Sequence, residues 1–159
     1  MLQLKSHCLV ALFLANSFLF GRPGAVSAQV RASDVVKVTV ATENPDGDGK
    51  QTLLATLTIA PSWHIYANPV ENDFLARAQT TIRIYAAGKL QEAKIMYPAG
   101  KLLDAPEGLG FRIYEGKVTI KAVIARTKEN AGPLEIITYV CAADNNRNLR
   151  PSSIKTAVP

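Results

Sequence analysis

Only four residues in the chain are thiols or imidazoles: Cys8, Cys141, His7 and His64. Cys8 and His7 fall in a segment ordered like a secretory leader, so Cys141 and His64 are left to do any chemistry. A thiolate attacks disulfides and carbonyls, and a neighbouring imidazole makes the thiolate easier to form. Thiol exchange also needs a second thiol to resolve the mixed disulfide. A zinc site needs several ligands, and one histidine with one cysteine falls short. Hydrolysis by a Cys–His pair would need an orienting partner and an oxyanion site, and neither is recognisable.

Cys141 ends the β-like run Leu134 to Val140 and opens a polar loop, Ala142 to Asn148. In that loop Asp144 would raise a thiol pKa and Arg147 would lower it. A lone cysteine at a strand end also packs well as a small apolar residue, and this reading is preferred to a working redox thiol. A leftover cysteine in an exported protein can also pair between chains.

His64 lies in the block Ala60-Pro61-Ser62-Trp63-His64-Ile65-Tyr66-Ala67-Asn68-Pro69, which holds the only tryptophan. The plain expectation is that Trp63 and Tyr66 plug one end of a core while His64 bonds a backbone group. Asp46-Gly47-Asp48-Gly49 has the look of a calcium loop begun at Asn44. The twelfth position, where that loop needs a bidentate acid, is Ala55, so a hairpin turn is expected.

The elements that must position these residues read as strands. Val36, Val38 and Val40 alternate with more polar neighbours, and so do Leu53, Ala55, Leu57 and Ile59. Ile82 and Ile84, Ile95 and Tyr97, Val118 to Ile124, and Leu134 to Val140 follow the same period, with a last strand from Ser153 to Val158. No segment keeps a helical period, although Phe74 to Gln79 suits a single turn. Asn44 to Gly49, Pro98-Ala99-Gly100, Pro106-Glu107-Gly108 and Asn130-Ala131-Gly132-Pro133 supply turns between them. Short strands at this spacing predict an all-β antiparallel sandwich, with a closed barrel as competitor.

Lys5 and His7, the apolar run Cys8 to Phe20, and the small-residue site Val26-Ser27-Ala28 predict a signal peptide over 1–28. One domain is expected over 29–159, exported to the periplasm or secreted. No further stretch is long and apolar enough to span a membrane. The formal net charge is +5, with lysines and arginines scattered singly along the sequence. No basic stripe is evident in it, so no nucleic-acid partner is expected. No cofactor is expected either.

Four motifs occur in a fixed order: Trp63-His64-Ile65-Tyr66-Ala67, Tyr114-Glu115-Gly116-Lys117-Val118, Tyr139-Val140-Cys141-Ala142-Ala143-Asp144 and Leu149-Arg150-Pro151. Together they resemble the N-terminal periplasmic domain of the thiol:disulfide interchange protein DsbD, from about Val35 to Pro159. The resemblance implies an immunoglobulin-like β-sandwich. It also implies two cysteines at the ends of a short loop, which take electrons from a thioredoxin-like or transmembrane partner and pass them to oxidised exported proteins. Carried onto this chain, the first cysteine is Cys141 and the second position is Asn148, in a loop one residue longer. An amide neither forms nor attacks a disulfide, so the two-electron cycle cannot run within this chain. The family's aromatic cap loop maps to Phe111, Ile113 and Tyr114. Trp63, His64, Tyr66, Phe111 and Tyr114 are thus the expected loop-end contacts. The function expected is a redox-degenerate binding module for an exported partner, thioredoxin-like or a membrane reductase. The alternative is thiol exchange through Cys141 alone.

Overall fold

The computed structural model describes residues 29–104 and 110–158. The leader expected at 1–28, the turn at Pro106-Glu107-Gly108 and Pro159 lie outside the described residues.

Period-two alternation becomes two facing sheets. The first holds β1 (Val36–Thr42), β2 (Lys50–Ile59), β6 (Ala93–Met96) and β9 (Lys117–Ala125), in the order β1-β2-β9-β6. The second holds β4 (Thr81–Ala86), β5 (Lys89–Leu90), β10 (Leu134–Val140) and β12 (Ser152–Val158), in the order β12-β10-β4-β5. Every pairing between these strands is antiparallel. The architecture is an all-β, immunoglobulin-like sandwich.

Register aligns the apolar positions across each sheet. Val38, Leu57 and Val118 share one row, and Ala86, Leu134 and Val158 another. Leu53, Leu57, Ile84, Ile120, Ile124 and Ile136 are no more than 1% exposed. Burying an aliphatic side chain of this size contributes about 1.5–3 kcal/mol. The calcium-like segment is a turn: Asp46 Oδ1 accepts the backbone N–H groups of Asp48 and Lys50 at 3.0 and 2.8 Å.

Some elements differ from the reading of the sequence. A one-turn helix, α1 (Ala32–Val35), precedes β1, and Asp34 caps it by accepting the Arg31 N–H at 2.8 Å. The single turn expected from Phe74 begins at Asp73–Leu75, where the Asn72 side chain accepts the Phe74 N–H at 3.0 Å. Tyr97 follows β6, and its hydroxyl accepts the Ile82 N–H at 3.0 Å, tying the two sheets together. A third sheet closes one end of the sandwich. It holds β3 (His64–Tyr66), β7 (Lys101–Leu103), β8 (Phe111–Glu115) and β11 (Ala142–Ala143), in the order β11-β3-β8-β7. These strands are too short for alternation to announce them.

Gly116 joins β8 to β9 at φ 63°, in the left-handed region, and its carbonyl accepts the Ile59 N–H at 2.7 Å. Gly100 permits a close backbone approach, since a Cβ there would sit 2.5 Å from the Ala67 Cβ. No helix among the described residues is long and apolar enough to cross a membrane.

Candidate functional site

Cys141 sits between β10 and β11, only 7% exposed. Beyond it the chain makes a small hairpin. Ala143 bridges Asn148, Leu149 N–H donates to the Ala142 carbonyl at 2.9 Å, and Asp144 N–H donates to the Arg147 carbonyl at 3.0 Å. Asp144 organises the turn, because its Oδ1 accepts the backbone N–H groups of Asn146 and Arg147, both at 2.8 Å. Arg147 Nε donates to Asp144 Oδ2 at 3.0 Å. These bonds, the Asn146 N–H foremost, hold the Asp144 carboxyl below its usual range.

The two charged residues expected to compete over the thiol are therefore occupied with each other. Burial pushes the Cys141 thiol up, and a hydrogen bond with Tyr139 opposes it. Cys141 Sγ and the Tyr139 hydroxyl share a hydrogen bond at 3.3 Å, in which the tyrosine proton serves the sulfur once the thiol ionises. Tyr139 in turn is pushed up to about 12, chiefly by that same bond. A buried thiol with a raised pKa is almost wholly protonated at neutral pH and is a poor nucleophile. Tyr139 was not singled out in the sequence, yet its place two residues before Cys141 puts it on the same strand face.

The tryptophan-histidine block meets this loop through β3, where His64 pairs with Ala143 and Ile65 with Ala142. The Arg147 guanidinium lies 4.9 Å from the centre of the half-buried Trp63 ring. Tyr66 donates its hydroxyl to Asn148 Oδ1 at 3.3 Å. His64 packs edge-on against Tyr66, with ring centres 6.0 Å apart. Among the described residues the His64 ring makes neither the expected bond to a backbone group nor a hydrogen bond to Cys141. Burial lowers the His64 pKa, with Glu115 and Asp144 pulling the other way.

The cap residues divide. Phe111 on β8 reaches Tyr66, ring centres 5.7 Å apart, and so covers the loop end. Tyr114 is 4% exposed and serves as an internal clamp. Its hydroxyl accepts the Asn68 N–H at 3.3 Å and donates to the Pro98 carbonyl at 2.8 Å. An aromatic beside a loop reads as a cap in sequence; here the β3–β8 pairing turns it inward.

Asn148 is exposed and faces Ala143, which makes it a diagonal neighbour of Cys141. Diagonal pairs stand roughly 7–8 Å apart. A disulfide needs Cβ atoms about 3.5–4.5 Å apart. A diagonal placement of this kind does not hold two Cβ atoms at disulfide distance. Beside this site a cavity of about 350 Å³ is lined by Arg77, Arg83, Ile137, Tyr139 and Ser153.

The family model for the N-terminal domain of the thiol:disulfide interchange protein DsbD matches residues 30–145. Among solved structures, the N-terminal periplasmic domain of ScsB from Proteus mirabilis aligns with a TM-score of 0.56 and 12% identity. That alignment covers 79% of this chain and 45% of the ScsB chain, so this chain spans less than half of that relative. The reduced DsbD N-terminal domain of Neisseria meningitidis aligns at 0.50 and 11% identity, covering 81% of this chain and 88% of that one. A Neisseria meningitidis complex of the DsbD N-terminal and PilB N-terminal domains aligns at 0.50 and 10% identity, covering 77% and 80%. At these identities the likeness is one of fold. No curated protein matches the chain.

Proposed function

The chain belongs to the DsbD N-terminal domain family, a family of thiol:disulfide interchange domains, and we propose that it is a binding module of that family which no longer exchanges electrons. What supports this reading is that Cys141 is buried, with its thiol pushed up by that burial, and that Asn148, the position to which the resemblance carries the second cysteine, bears an amide across the same hairpin. Exchange moves two electrons and two protons: a dithiol becomes a disulfide as the partner's disulfide becomes a dithiol. One thiol stops at the mixed disulfide.

What remains is a pre-shaped loop end on a rigid sandwich, with Tyr66, Phe111, Trp63 and Arg147 at its surface. Loops held this way suit recognition. The partner we propose is another exported protein, thioredoxin-like or a membrane reductase, met in the periplasm or outside the cell after cleavage behind Ala28.

Alkylation followed by intact mass tests the proposal on protein isolated from its own cell envelope without reductant. Cys141 is expected to react only after unfolding, and Cys141→Ser is expected to retain the same bound partner. Rapid labelling of the folded protein, or a partner attached through Cys141, would restore thiol exchange and sink the reading.

A further inference from the structure

The outer face of the first sheet gathers five lysines that the sequence scatters. Lys37 on β1, Lys50 on β2, Lys94 on β6, and Lys117 and Lys121 on β9 all occupy outward positions and are exposed. Register sets Lys37 and Lys117 in one row on either side of Thr58, and Lys121, between Leu54 and Met96, in the row beyond Thr39, Thr56 and Thr119. Lys94 follows, opposite Val123. Among the described residues, Lys50 alone of the five has an acidic partner, Asp48 at 3.7 Å in the adjoining turn. No carboxylate occupies an outward position within these four strands; exposed Glu43 and Glu92 flank the face, one residue past β1 and one before β6, and Asp46 and Asp48 lie in the adjoining turn.

Between the lysines the face is threonine and small aliphatic surface. Thr56 and Thr119 share a hydrogen bond at 3.0 Å, and Lys50, Lys94, Met96, Lys121 and Val123 line a shallow depression of about 440 Å³. No aromatic residue stands on these outward positions, which leaves nothing to stack nucleobases. Protein interfaces favour aromatic residues, Met and Arg and are poor in Lys. A flat array of flexible ammonium groups suits a surface whose negative charges move laterally to meet it.

We propose that this face docks on an anionic lipid surface. The proposal stands apart from the redox state of Cys141, which lies at the third sheet. Sedimentation with vesicles of phosphatidylcholine, alone or mixed with phosphatidylglycerol, tests it on the full chain. The apolar segment Cys8 to Phe20 contributes alike in every variant, so the readout is how the preference for phosphatidylglycerol changes with substitution. That preference is expected to fall with salt and to drop about five-fold for each of Lys37→Gln, Lys94→Gln, Lys117→Gln and Lys121→Gln. Lys→Arg variants at these positions are expected to keep it. Since all these side chains are exposed, circular dichroism melts are expected to match wild type. If a variant carrying all four glutamines does not melt cooperatively, the single substitutions carry the test. Equal binding to both vesicles, or a preference that survives all the glutamines, would overturn the proposal. So would a preference for duplex DNA or an acidic protein over the vesicles.

Discussion

The sandwich and the sheet that closes its end are built on different terms. The sandwich packs aliphatic side chains from long strands, with rows such as Val40, Ala55 and Ile120 repeating one chemistry. The end sheet uses strands of two to five residues and is held by tyrosine hydroxyls, an aspartate-organised turn and an arginine over a tryptophan. The difference teaches where stability and function separate. The first region tolerates almost no loss of volume, and the second rests on directional bonds that can be removed one at a time.

The hardest way to break the comparison is at the core. Leu57 is fully buried, and Leu57→Ala is expected to cost about 3 kcal/mol in urea unfolding. At the other region Tyr114→Phe keeps the ring and removes a hydroxyl that serves Asn68 and Pro98, at an expected cost of about 1.5 kcal/mol. If the tyrosine costs as much as the leucine, the end sheet is no lesser partner and the contrast fails. A third change sharpens it from inside the sandwich. Thr138 is fully buried and its Oγ1 has no hydrogen-bond partner among the described residues, so Thr138→Val is expected to stabilise by about 1 kcal/mol.

The smallest effect concerns pH. Cys141 and Tyr139 both have folded pKa values above their ordinary ones, Tyr139 at about 12. Each therefore contributes stability that is complete below its unfolded pKa and is lost as pH rises through the folded value. For the thiol that loss begins near its ordinary value of 9.0. Urea midpoints at neutral and strongly alkaline pH are expected to fall more in wild type than in Cys141→Ser. An equal fall would show that the thiol is not coupled to the fold.

The legible part of the molecule was the part with a period. Leu53, Ala55, Leu57 and Ile59 alternate in sequence and are all buried on one face. The same rule placed Ile82 and Ile84, and Leu134 and Ile136. It had no purchase on β3, β7 or β11, where two or three residues give no repeat. Cys141, Tyr66 and Phe111 were legible as candidates because their types and the family resemblance pointed to them. Their bonds were not. That Asp144 and Arg147 neutralise each other, that Tyr139 meets the thiol, and that Tyr114 turns inward all depend on distances between segments. The gathering of five lysines on one face also needed the strand order, since Lys37 and Lys121 are far apart in sequence.

The hairpin after Cys141 is closed by its own backbone and by Asp144, with no covalent link across it. Its outline and its chemistry are therefore separable inheritances. Substitutions at either end of the turn can change what the loop reacts with, while the bonds to Asp144 keep the outline it presents to solvent.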